Sequence, residues 1–381
     1  IWVVNEGEAT ISVLDGASGA LVQTIALPHA ARPFGIAFDP NGAAAYVTLQ
    51  ATGRLLKLDP NTRTIIGELV VGSTPRGIAI THEAQRILIT RFLSPQDHAE
   101  VIEVNAASFT VARTFNLAMD PGPDTENSGR GVPNYLSSVR IAPDGRRAWV
   151  PSKKDNVQRG LRRDGLPLTF ESAVRTIVSQ LDLVNNTEDL AARRDLNDRD
   201  MASAVAFSSL GDYVFVATQG SNTIDVLDAY SRALITSIEN VGLAPQGLAM
   251  SGDGAKLFVQ NFMSRTVAVY EVSGITANGN NQARKLAEIA TVSQEALAPN
   301  VLLGKQIFYN AKDRRMNRDG YLSCASCHLD GEQDGRVWDF SDRGEGWRNT
   351  ISLRGRRGTG QGRLHWSANF DEVQDFEHDI R

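Results

Sequence analysis

Cysteine is almost absent: 381 residues hold two, Cys324 and Cys327. One pair cannot furnish a four-ligand structural zinc site of the usual kind, and once both thiols are committed elsewhere no disulfide is available. No apolar run approaches the roughly 18–20 residues that cross a bilayer as a helix. A basic excess is missing too. The formal net charge is −5, which argues against general nucleic-acid binding. No methionine follows Met316, and residues 329–347 contain no histidine. In the first three-quarters of the chain His29, His82 and His98 fall in different segments without ligand spacing, so no catalytic or metal constellation is legible there.

What the chain does have is one dense motif. Ser323-Cys324-Ala325-Ser326-Cys327-His328 contains both cysteines, with a histidine directly after the second. C-x-x-C-H spacing reads as a c-type haem attachment site, in which each thiol adds to a vinyl group and the adjacent imidazole becomes the proximal iron ligand. A thioredoxin-like redox pair would need βαβ flanks, and none are present. Covalent haem c implies export, to the periplasm or beyond, because attachment takes place outside the bacterial cytoplasm. The chain opens on Ile1-Trp2-Val3-Val4-Asn5, which has the look of a strand, so a leader is expected to have been removed.

Residues 1–292 carry a unit recurring at about 42 residues, within the range of propeller blades. One part is an inner strand closed by glycine, as in Arg32-Pro33-Phe34-Gly35-Ile36-Ala37-Phe38, Thr74-Pro75-Arg76-Gly77-Ile78 and Pro245-Gln246-Gly247-Leu248. The other is a pair of alternating strands, as in Phe215-Val216-Ala217-Thr218 followed by Thr223-Ile224-Asp225-Val226-Leu227-Asp228. Short period-2 runs at regular spacing predict an all-β fold. Tyr46-Val47-Thr48 and Thr10-Ile11-Ser12-Val13-Leu14-Asp15 resemble YVTN-type β-propeller repeats. That resemblance implies a propeller of seven blades, with six as the fallback. Outer strands number six and inner strands five, so one inner strand or a whole blade is expected upstream of Ile1. Two insertions interrupt the period. Met119–Tyr135 reads as an ordered surface loop. The basic run from Lys153 to Arg175 reads as a solvated loop, or else as a docking surface for an acidic partner or for haem propionates.

From residue 293 a cytochrome domain of mainly α-helical character is expected, with Val301–Asn310 as the helix leading into the cysteine motif. Leu303-Gly304-Lys305-Gln306-Ile307-Phe308, Arg348-Asn349-Thr350-Ile351-Ser352-Leu353, Leu364-His365-Trp366 and the acidic stretch from Phe370 to Phe376 are similar to elements of bacterial di-haem cytochrome c peroxidases. The resemblance implies electron transfer, with peroxide or a partner protein as acceptor, and places Trp366 between two haems. It also implies a second haem c, for which this chain has no cysteines, so a longer native chain with a second haem domain is the corresponding expectation. Ile351 stands where the family has proline, and Ser367-Ala368 where it has Asp-Gly.

For the distal iron position the residues leave alternatives open. Met316 would have to loop back; His365 or His378 would give bis-histidine ligation; an open site would admit peroxide, with Arg343, Arg348 or Glu345 assisting O–O cleavage. Asp330-Gly331-Glu332-Gln333-Asp334, with Asp339 and Asp342, is an oxygen-rich stretch of the kind that holds Ca²⁺ in relatives, against the plainer reading of a solvated acidic loop. Function divides likewise. Either the chain is an electron-transfer protein, alone or as part of a peroxidase-like oxidoreductase, or the propeller is a binding scaffold in a larger redox complex with the haem as electron outlet.

Overall fold

The computed structural model describes residues 1–317, 319–355, 362–365, 367–368, 370–372 and 375. Its strands form six successive antiparallel sheets, the blades of a β-propeller. Six is the lower of the two counts expected. The first sheet has three strands (Trp2–Asn5, Thr10–Leu14, Leu21–Ala26), while the second, third, fifth and sixth have four each. The repeat count predicts that shortfall of one inner strand.

Contacts divide the chain into two compact units. The first comprises residues 1–118, 135–151 and 179–191, and contains the first three sheets. Here the repeat motif has a physical reading. Thr48 ends the Tyr-Val-Thr run; its hydroxyl accepts from Gly35 N at 2.8 Å and donates to Arg76 O at 2.8 Å, so one side chain ties its own inner strand to that of the next sheet. One repeat later Thr90 does the same with Gly77 N and Leu136 O. Glycine is required at this point because a Cβ on Gly35 would sit 2.3 Å from Arg76 O. Between the sheets, alternating residues such as Ile11, Val13, Val47, Leu56 and Leu58 are fully or almost fully buried, which is the expected consequence of period-2 patterning.

The second unit comprises residues 119–134, 152–178 and 192–381. It holds the fifth and sixth sheets, whose core includes Phe215, Val226, Leu257 and Val259. Both sequence insertions cluster with it, as does the C-terminal segment. The strands Arg147–Asp155 and Val174–Asp182 of the fourth sheet contribute residues to both units.

Beyond the last blade the expected helix is present as Pro299–Phe308, started by Pro299 where a missing N–H costs nothing. Leu303 is exposed on it, while Leu302, Gln306, Ile307 and Phe308 are half-buried. The remainder is less helical than expected. Among the described residues it consists of one turn, Ala325–His328, two short 3₁₀ segments, and a hairpin of Val337–Phe340 with Gly346–Asn349. Glycines at positive φ (Gly320, Gly331, Gly335, Gly344, Gly346) break up the stretch in which longer helices would have to form. No helix among the described residues is long and apolar enough to cross a membrane.

Candidate functional site

The cysteine motif folds as a single helical turn. His328 N donates to Cys324 O at 2.9 Å, which closes the turn. Residues at i, i+3 and i+4 of a helix share a face, so Cys324, Cys327 and His328 are presented together. Neither cysteine is in a disulfide. Burial raises the pKa of both thiols, and for Cys327 the carboxylates of Asp334, Asp155 and Asp200 add to the effect against the opposing charge of Lys153. A redox-active dithiol needs the opposite shift. These are protonated, shielded thiols.

Cys327 and His328 open into a cavity of about 330 Å³, a size within the usual range of ligand sites at about 300–1,000 Å³. One wall is Leu168, Phe170, Ala173 and Val174 of the second insertion; the other is Trp338 and Phe340 of the hairpin together with Ile351 and Leu353. Arg343, Arg348 and His365 supply its charged and polar groups. His328 Nδ1 is buried with no hydrogen-bond partner among the described residues. Burial lowers the pKa of this imidazole, with the Asp334 charge in opposition, so the ring is neutral near pH 7.

His365 shares the cavity. Its Nδ1 lies 3.1 Å from Glu345 Oε1, the carboxylate partner that commonly fixes the tautomer and orientation of a metal-binding imidazole. Met316 is half-buried in a turn at Asp313–Met316, and does not line the cavity. Trp366 and His378 lie outside the described residues. The acidic stretch is not gathered around one point. Asp330 accepts from Tyr309 Oη, Glu332 pairs with Arg354, Asp339 accepts from Arg162 N, and Asp334 accepts from Trp338 Nε1. Among the described residues no group of three His, Cys, Asp or Glu side chains is arranged to hold a metal ion.

Behind the motif lies a buried charge network that the sequence did not suggest. Lys153 Nζ is 2.8 Å from Asp155 Oδ1 and 3.6 Å from Asp334 Oδ2, while Arg336 Nε is 2.9 Å from Asp155 Oδ2. All four side chains are fully buried. Burial disfavours the Lys153 cation, yet Asp155 and Asp334 outweigh it and its pKa is raised; burial likewise disfavours the Asp155 anion, and Lys153 and Arg336 overrule it. The basic insertion is therefore no solvated loop at its ends. Lys153, Lys154 and Arg175 are buried, and Lys154 pairs with Asp120 and Asp195. Only its middle is exposed.

A second missed residue is Asp200. Its carboxylate accepts from Ser326 Oγ at 2.7 Å, and Ser326 Oγ in turn accepts from Ser323 N at 2.9 Å. The two non-cysteine positions that flank and interrupt the motif are thereby tied to the start of the fifth sheet.

No family model matches the chain, and no curated protein matches it. Among solved structures, it is similar to Kuenenia stuttgartiensis hydrazine synthase (TM-score 0.48, 15% identity, 71% of this chain and 91% of that one). The Swd1 β-propeller domain of Myceliophteria thermophila Cps50 gives a TM-score of 0.47 at 14% identity, over 67% of this chain and 72% of that one. Dihydro-haem d1 dehydrogenase NirN in complex with DHE gives 0.48 at 15% identity, over 78% of this chain and 56% of that one.

Proposed function

We propose that this chain is an exported c-type haem protein that carries electrons, with Cys324 and Cys327 as the attachment residues and His328 as the proximal ligand. The observation that carries this reading is the meeting of Cys327, His328 and His365 on one largely apolar cavity. Haem, when bound, supplies one-electron chemistry at an iron whose potential is set by its axial ligands and by burial. The residues present fit that group: two shielded thiols, an imidazole on the cavity wall, apolar walls, and guanidinium groups for carboxylates.

The protein's own residues have definable tasks. Glu345 orients His365 and holds the proton on its Nδ1, which leaves the lone pair on Nε2 and makes His365 the distal-ligand candidate. Leu168, Phe170 and Trp338 exclude water. Arg343 and Arg348 provide cations for acidic substituents. Asp200 holds the turn through Ser326.

The test is expression with an export leader alongside a c-type maturation system. Covalent haem should survive denaturing electrophoresis, and should vanish in Cys324→Ala/Cys327→Ala. A low-spin ferric spectrum indifferent to peroxide is expected, and fits an electron carrier. A high-spin spectrum that responds to peroxide would replace the distal role of His365 with peroxidase-type chemistry. Absence of covalent haem under these conditions would overturn the reading.

A further inference from the structure

The hairpin of Val337–Phe340 and Gly346–Asn349 has two faces, as a strand's alternating side chains require. Trp338, Phe340 and Arg348 line the cavity, and Trp338 and Arg348 are cross-strand partners. Asp339 and Trp347, also cross-strand partners, belong to the opposite face, which receives the tip of the second insertion. Arg162 N donates to Asp339 Oδ2 at 2.7 Å, and the Arg163 guanidinium stacks 4.0 Å from the Trp347 ring centroid. The layer between Trp347 and the cavity is thus one hairpin thick.

That outer face is an unusual surface for a chain of net charge −5. Trp347 is 41% exposed, and Leu161 and Leu166 of the insertion are 45% and 46% exposed. Arg162 and Arg163 are exposed, and neither forms a salt bridge among the described residues. Nearby carboxylates are largely engaged: Asp164 with Arg130, Glu345 with His365 and Arg348. Tryptophan and arginine are the residues most enriched at interface hot spots.

We propose that Arg162, Arg163 and Trp347 form the docking surface for an acidic electron-transfer protein, placed on the outside of the same hairpin that walls the cavity. This rests on the haem reading for its purpose, though not for its binding test. Electrostatic complementarity of this kind raises the association rate and weakens with salt, as suits a small, transient interface. With haem bound, the reduced carrier would give up one electron to it, and no bond would be made or broken.

The probe is a small acidic flavodoxin, added to the full chain. Binding of oxidised flavodoxin, followed by calorimetry at low ionic strength, should weaken at least tenfold in Arg162→Glu/Arg163→Glu and in Trp347→Ala, and the difference should shrink at high salt. In haem-loaded protein, reduction by reduced flavodoxin should slow in parallel while reduction by dithionite is unchanged. If a variant misfolds, the single substitution Arg163→Gln, which removes the charge without reversing it, supplies the same measurement. Equal binding by wild type and variants overturns the proposal, as does equally tight binding of a DNA duplex. Charge-dependent binding in a protein that takes up no haem would uphold the surface and overturn the haem reading instead.

Discussion

Ser326 Oγ donates to Asp200 Oδ1 across 2.7 Å, joining the cysteine turn to a residue 126 positions earlier in the chain. Asp200 is 1% exposed, and burial raises its pKa from 3.8 to about 6 against the hydrogen bonds from Ser326 and Ser323. Between those two values the folded form binds more protons than the unfolded one, so stability falls as pH rises from about 4 to about 6 and is level above that. At neutral pH the cost is about 3 kcal/mol at most. Asp200→Asn keeps an acceptor for Ser326 and removes the charge. Its denaturation midpoint should exceed wild type at pH 7 and converge with it near pH 4. Gly220→Ala should be poorly tolerated, since its Cβ would fall 1.9 Å from Asp200 Oδ2.

Asp155 has three partners, Lys153, Arg336 and Asn134. Removing it takes a carboxylate from two buried cations, with Lys153 keeping Asp334 at 3.6 Å, and breaking a buried ion pair from one side costs about 3–5 kcal/mol. Asp155→Ala should lose stability on that scale in urea titration. Glu68→Ala breaks a surface pair with Arg54, both partners being at least 40% exposed, and should change stability by about 1 kcal/mol or less. A similar effect for the two variants would show that the buried network contributes little.

How far the sequence could be read depended on how local the cause was. Thr10–Leu14 and Ala45–Leu49 were legible as strands because alternation and a following turn lie within a few residues. The five-to-six imbalance of strands was legible for the same reason. The cysteine turn was readable because its three groups are adjacent. Lys153 was misread as part of a solvated run because its partner Asp334 is far along the chain, and nothing in the local pattern of Lys153-Lys154-Asp155 shows burial. Asp200 carries no local signal at all. The only hint was glycine at position 220, needed to admit the carboxylate. The leading helix was legible from its apolar spacing, though Leu303 looks like a core residue and is exposed.

Glu345 and His365 make a prediction about potential. A carboxylate on the far nitrogen makes an imidazole a stronger donor, which favours the ferric state. With haem loaded, Glu345→Gln should raise the midpoint potential in a spectroelectrochemical titration and leave haem content unchanged. His365→Ala should convert a low-spin ferric spectrum to high-spin, while Met316→Leu leaves it low-spin. A shift from Met316→Leu instead would move the distal role to a residue that does not line the cavity.

Gly160 controls how the insertion meets the hairpin. Its φ is +145°, a region that favours glycine, and a Cβ there would lie 2.4 Å from Asp339 Cβ, an atom that cannot swing aside as a side-chain terminus would. Gly160→Ala must therefore separate the insertion tip from the hairpin or distort both, at a cost of about 1–3 kcal/mol. Gly165, five residues on, has φ +78° and nothing within 4 Å of its would-be Cβ, so Gly165→Ala carries backbone strain alone, about 1–2 kcal/mol. In haem-free protein the Gly160 variant should change the emission of Trp347 by withdrawing Arg163 from its ring, and the Gly165 variant should not. A second consequence follows because Leu168, Phe170 and Val174 stand on the same insertion and wall the cavity. Gly160→Ala should also lower haem incorporation relative to Gly165→Ala. If both variants fold and load haem alike, the insertion tip is merely adjacent to the hairpin, and the cavity wall does not depend on that contact.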